Sequence, residues 1–200
     1  MAAFQTFLQA GFECSTHRNR HGERLDIVQA TRHDEFALQD YRRLQEIGIA
    51  TVREGARWHV IETHPGQYDF SSLERIYDAA QQTGAEILLD LLHFGWPDHL
   101  DVFRGEFVSA FAEFADAAVA FLNKRNLPRL LITPVNEISF LAWAAGDEAM
   151  IHPHMYGMGG LLKRQLVRAA IAASRLVRSR SNGGHRPILG DSRSGRGKRL

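Results

Sequence analysis

The run Glu86-Ile87-Leu88-Leu89-Asp90-Leu91-Leu92, continuing into His93-Phe94-Gly95-Trp96-Pro97, decides the fold. Its apolar residues do not alternate with polar ones, so both faces of the strand are covered, as in a parallel sheet with helices packed on it. Working outward, the next segment carries Phe107, Phe111, Phe114, Ala118 and Phe121 at spacings of four and three, the core stripe of an amphipathic helix. Before it, Leu73, Ile76, Tyr77 and Ala80 form another stripe, opened by a Ser71/Ser72 cap and stopped at Gly84.

The same rhythm repeats four times. A first strand is predicted at residues 9–14, with a helix at 34–46 that aligns Leu38, Tyr41 and Leu44 and stops at Gly48. The second strand is residues 49–56, the third 86–92 and the fourth 129–134, the last followed by a helix at 161–177 carrying Leu162, Leu166, Ala169 and Ala173. Residues 186–190 read as the stub of a fifth strand. Strand–helix alternation gives an α/β class, and the strand spacing matches a (β/α)₈ TIM barrel. Four units are half of that barrel, and a four-strand arc leaves two unpaired edges. The chain is then either a fragment or a half that self-associates through its open edges.

The composition is globular, 44% hydrophobic and 24% charged. A single cysteine, Cys14, is read as excluding a disulfide scaffold and any Cys-based zinc site, and it fits a reducing compartment. The N-terminus lacks a secretory pattern and no apolar run approaches a membrane span, so a soluble, cytoplasmic protein is expected. The net charge of +1 hides an acidic body and a basic tail. Residues 1–178 read as the half-barrel, and 179–200 as an Arg/Ser/Gly-rich tail with one apolar run, Pro187-Ile188-Leu189. That tail is expected to be solvated or aberrant, and the switch near Arg178 resembles a frameshift or premature stop. It has no aromatic interleaving, so no nucleic-acid partner is expected.

In βα barrels the reactive groups gather at the C-terminal strand ends. The four strands deliver Glu13, then Arg53 and Trp58, then His93, then Asn136 and Glu137 to that end, with Phe94, Trp96 and Trp143 near them. Carboxylate, guanidinium, imidazole and amide beside aromatic rings suit a sugar, whose hydroxyls need polar partners and whose C–H faces stack on rings. Glu137 ends an apolar strand, where burial would raise its pKa as a general acid requires. The structural alternative is a salt-bridged glutamate that starts the next loop.

Ile132-Thr133-Pro134-Val135-Asn136-Glu137 resembles the Thr-x-Asn-Glu motif ending the fourth strand of family-1 glycoside hydrolases, the β-glucosidase group of retaining TIM-barrel enzymes. Arg53 and Trp58 resemble that family's second-strand Arg and Trp, and His93-Phe94-Gly95-Trp96-Pro97 its third-strand His-Trp-x-x-Pro. Pro65-Gly66-Gln67-Tyr68-Asp69 resembles a segment following strand two, and the likeness spans roughly residues 9–178. It implies that Glu137 is the acid/base, Asn136 holds the sugar 2-hydroxyl, His93 holds another hydroxyl, and Arg53 orients the nucleophilic carboxylate. Glu13 would replace a strand-one glutamine, and Trp58 and Trp96 would line the substrate. No cofactor or metal is implied.

Phe94 replaces a tryptophan of the family pattern and Ile138 a proline. The family's nucleophile lies on strand seven, beyond these units, so the chain alone is expected to be inactive. Glu62, Asp90, Asp98 and Asp147 are the acids considered as substitutes, with Asp98 and Asp101 assigned to caps or salt bridges after strand three. The rival function is a non-catalytic carbohydrate-binding half-barrel that dimerises; a TIM-barrel enzyme of unrelated chemistry would leave the Asn-Glu placement unexplained. His152-Pro153-His154 lacks a third metal ligand, Cys14 reads as a small buried residue or a reactive thiol, and Gly157-Met158-Gly159-Gly160 as the flexible lead-in to a helix.

Overall fold

The computed structural model describes residues 4–180 and the backbone of 188–189. In chain order the elements are β1 (Ala10–Gly11), α1 (Ile27–Ala30), α2 (His33–Glu46), β2 (Thr51–Gly55), α3 (Trp58–Ile61), β3 (Glu62–His64), β4 (Gln67–Tyr68), α4 (Ser71–Thr83), β5 (Glu86–Leu92), α5 (Gly105–Asn123), β6 (Leu131–Val135), α6 (Ile138–Gly146), α7 (Gly159–Arg180) and β7 (Ile188–Leu189). A parallel sheet runs in the order β1-β2-β5-β6-β7. Strands in sequence order, each joined to the next through a helix, are the arc of a (β/α)₈ barrel.

Strand β5 has the predicted bounds. Its Ile87, Leu89 and Leu91 are buried because alternate residues face the helix layer. The phenylalanine stripe of α5 is core: Phe107, Phe111 and Phe114 are 0% exposed. Against it α7 sets Leu162, Leu166, Ala169, Ala173 and Val177, all fully buried, and the small alanines let the helix axes come close. Each large ring in this layer removes enough apolar area for about 2–3 kcal/mol. Gly84 ends α4 with φ 70°, a left-handed cap that glycine takes without strain. The expected fifth-strand stub is present in the backbone, Ile188 and Leu189 pairing with Leu131 and Ile132.

Several expectations need correction. The ladder of the first strand is limited to Ala10–Gly11, with one further bond from Phe12 N to Arg53 O. Beyond it the chain crosses over the end of β2, where a Cβ on Gly55 would lie 2.6 Å from Cys14 Cβ. Helix α4 is capped by the Asp69 carboxylate, which accepts from Ser71 N at 2.9 Å; the serines do not cap it. Short α1, α3 and α6 and the β3–β4 hairpin fill stretches read as loops. Helix α7 runs on through Ser179 and Arg180; the rest of the segment read as a tail, apart from the backbone of 188–189, lies outside the described residues. Among the described residues no helix is long and apolar enough to cross a membrane.

Candidate active site

Arg53, on β2, and Asp90, on β5, share the concave face of the sheet, since Arg53 pairs with Leu88 and Gly55 with Asp90. Arg53 Nη2 lies 2.6 Å from Asp90 Oδ2 and also donates to Asn136 Oδ1. Asn136 is buried just past β6 and held by its own N–H, which donates to Leu92 O at 2.9 Å. One guanidinium thus ties three strand ends together. Asp90 is 0% exposed, and burial pushes its carboxyl up to about 6 despite the opposing pull of Arg53.

His93 leaves the end of β5 with its ring edge-on to Phe94, centroids 4.5 Å apart. Its Nδ1 is 3.0 Å from Cys14 Sγ and 3.7 Å from Asp90 Oδ2, and its Nε2 is 3.7 Å from Glu13 Oε1. Burial, helped by the positive charge of Arg53, lowers its pKa to about 4, so the imidazole is neutral near pH 7. Burial alone would raise the Glu13 carboxyl, but the N–H of Ser15 at 2.9 Å and the cations nearby outweigh it and the net direction is down. Burial pushes the Cys14 thiol well up, and Asp90 and Glu54 add to it. Near pH 7 the cluster therefore pairs a neutral imidazole with a protonated thiol.

Glu137 follows Asn136 with φ 43° and starts α6. It is exposed; the burial expected from its apolar strand is absent, because the strand delivers it to the open mouth. Next to it an aromatic run crosses the mouth from Phe94 to Phe140 (5.3 Å) and on to Trp143 (5.8 Å). Phe140 and Trp143 are 41% and 46% exposed. Phe140 carried no signal in the sequence beyond its apolar character.

Two residues assigned to the substrate lie elsewhere. Trp58 is 1% exposed, stacked on Phe114 at 5.1 Å, with Nε1 donating to Glu62 Oε2 at 2.5 Å. The left-handed turn at Arg57, φ 54°, sends α3 back under α5, so the indole is part of the core. Trp96 is 2% exposed, wedged between Phe107 and His152.

The acids considered as substitutes for the nucleophile are engaged in the scaffold. Glu62 accepts from Trp58 and from Gly66 N, and Asp147 from Gly159 N at 2.8 Å. Asp98 is clamped by Arg18 and Arg24, whose hydrogen bonds and charge hold its carboxyl down to about 2. Asp101 accepts from Phe103 N at 2.9 Å. His152 packs on Trp96 and His154 contacts Ala149 O. The metal-type donors that converge among the described residues are Cys14, Asp90 and His93, a grouping that sequence reasoning missed because the three come from two strand ends. A cavity of about 250 Å³ lined by Tyr77, Glu86, Arg125 and Leu131 sits at the other end of the sheet, where barrels carry stability and not catalysis.

Residues 29–92 match the family model of glycoside hydrolases described as beta-galactosidase (Glyco_hydro_42). No curated protein matches the chain. Among solved structures, the family 1 β-glucosidase from Thermotoga maritima is similar, with a TM-score of 0.68, 18% identity, and coverage of 78% of this chain and 37% of that one. The same organism's β-glucosidase in complex with glucoimidazole gives 0.68 and 19%, with 76% and 36% covered. The AHE enzyme from Alicyclobacillus herbarius gives 0.68 and 18%, with 76% and 35% covered. The chain therefore spans little more than a third of the length of these structures. Its fold is that of part of a β-glucosidase-type (β/α)₈ barrel, the part that carries the strand ends bearing Glu13, Arg53, His93 and Asn136.

Proposed function

We propose that the chain is the N-terminal half of a retaining hydrolase of β-glucosides or related β-glycosides, with Glu137 as acid/base. The observation that carries this reading is the convergence of Arg53 on both Asn136 and Asp90, with His93 and Glu13 alongside, at the C-terminal strand ends. Asn136, fixed by Leu92 O and Arg53, presents its amide to a sugar 2-hydroxyl. His93, neutral near pH 7, accepts or donates one hydrogen bond to another hydroxyl, and the Glu13 carboxylate takes a third. Phe94, Phe140 and Trp143 supply the apolar surface beside them.

In the first step a carboxylate attacks the anomeric carbon while Glu137 transfers its proton to the departing oxygen. In the second, Glu137 takes a proton from water, which releases the sugar from that carboxylate with retained configuration. The attacking carboxylate must stand about 5–5.5 Å from the acid/base. Asp90 is fully buried on Arg53, so this role is assigned to the part of the barrel opposite the four strands, and the chain alone is expected not to turn over.

The test is calorimetric titration of the chain with glucoimidazole, a sugar analogue. Binding is expected, with Glu137→Gln and Asn136→Ala each weakening it about tenfold, the loss of one charge-assisted hydrogen bond. No binding, or binding untouched by both substitutions, overturns the reading. An aryl β-glucoside should remain unhydrolysed by the chain in parallel.

A further inference from the structure

The site holds a second grouping of donors, in which Cys14 and Asp90 take no part in the proposed sugar contacts and His93 takes part in both. Cys14 Sγ, His93 Nδ1 and an Asp90 carboxylate oxygen all lie within 4.8 Å of one another. Cys14 and Asp90 are 2% and 0% exposed. Asp90 Oδ2 is 3.7 Å from His93 Nδ1, and the Thr133 side chain also donates a hydrogen bond to the Asp90 carboxylate. The carboxylate thus reaches the thiol–imidazole pair through the oxygen that Arg53 also holds at 2.6 Å.

The surroundings hold the three donors in place. Thr16 N donates to His93 O at 3.1 Å and Ala56 N to Asp90 O at 2.9 Å, which fixes both ends of the cluster to neighbouring strands. His93 Nε2, on the far side of the ring, faces the Glu13 carboxylate, and Asp90 Oδ2 is backed by Arg53. A carboxylate behind a ligating imidazole is the usual outer partner of a metal-bound histidine. Sulfur, nitrogen and a single carboxylate suit a zinc-class ion; calcium and magnesium require six or more oxygens.

We propose that Cys14, Asp90 and His93 form a three-ligand binding site for a zinc-class divalent cation, with the fourth coordination position open. On binding, the Cys14 S–H bond breaks, the proton leaves to solvent, and the sulfur lone pair binds the metal; His93 Nδ1 and Asp90 supply the other two pairs. Thiolate, carboxylate and dication sum to zero, so the Arg53 guanidinium beside Asp90 faces a neutral cluster. A lone cysteine is thus compatible with a sulfur-ligated metal when histidine and aspartate complete the set.

The experiment is titration of the 200-residue chain with Co²⁺ in a non-thiol reductant. One Co²⁺ per chain is expected, with a thiolate-to-cobalt charge-transfer band in the near ultraviolet that Zn²⁺ abolishes. Cys14→Ser should remove the band. Should that variant fail to fold, Glu13→Gln decides: its side chain is 58% exposed, so the fold is untouched, and affinity should fall about tenfold through the His93 ring. A wild-type chain without the band, or a band that neither substitution changes, overturns the proposal. No sugar enters this readout, so its failure leaves the glycosidase reading standing, and the reverse.

Discussion

Arg53 Nη2 sits 2.6 Å from Asp90 Oδ2 and the same nitrogen donates to Asn136, so one cation both neutralises a buried acid and aims the amide that faces the mouth. The arrangement makes stability and site geometry depend on the same side chain.

Asp90 titrates near 6 in the folded chain and at 3.8 by its ordinary value. The folded state therefore binds the proton more tightly, and the contribution of Asp90 to stability is largest below pH 4 and is lost as pH rises to about 6. Asp90→Asn should remove this dependence. Urea unfolding at pH 4 and pH 7 should show the variant gaining about 2 kcal/mol relative to wild type between the two. An unchanged difference would place the buried acid elsewhere.

A second buried network lies between α2 and β2. His33 Nε2 is 3.0 Å from Glu54 Oε1, its Nδ1 is 2.8 Å from Asp40 Oδ2, Tyr41 OH donates to Glu54, and Phe12 stacks on the imidazole at 3.6 Å. Burial opposes the His33 charge, but the two carboxylates win and its pKa is raised. Its stabilisation is complete below the ordinary histidine value and is lost as pH rises through the raised one. Glu54→Gln should cost about 3 kcal/mol at pH 6 and less at pH 9, as read by urea unfolding at both.

Trp58 tests core against site. Trp58→Phe should lower the thermal midpoint by about 5 °C, since it gives up ring volume and the bond to Glu62, while glucoimidazole affinity stays unchanged in calorimetry. Loss of affinity with little loss of stability would return the residue to the substrate.

Gly95→Ala should be severe. A Cβ there would meet Thr16 O at 2.2 Å, and that backbone cannot retreat without breaking the Thr16 N bond to His93 O. A cost of about 3 kcal/mol is expected in urea unfolding, together with weaker sugar binding. A neutral variant would mean that the two loops are not in contact.

The long buried elements were legible because a single physical pattern defines each one. The unbroken apolar run of β5, the phenylalanine stripe of α5 and the glycine stop at Gly84 have the bounds or burial that periodicity predicts. Strand β1 was overestimated because its apolar residues serve a crossing over Gly55 and not a ladder. Trp58 was misplaced because nothing in its neighbours announces the left-handed turn at Arg57. Asp90 reads as an oddity within an apolar strand until the register sets it diagonally across from Arg53. The Cys14, Asp90 and His93 grouping is invisible in sequence for a similar reason, since β2 lies between β1 and β5 in the sheet.

The crystal structure of the chain soaked with glucoimidazole tests the central claim most directly. The account predicts the sugar ring at the C-terminal strand ends, with hydroxyls on Asn136 and His93 and the imidazole ring of the ligand facing Glu137. A ligand seated instead in the cavity by Tyr77 and Arg125 at the opposite end of the sheet, with the Asn136 and His93 end empty, would contradict it.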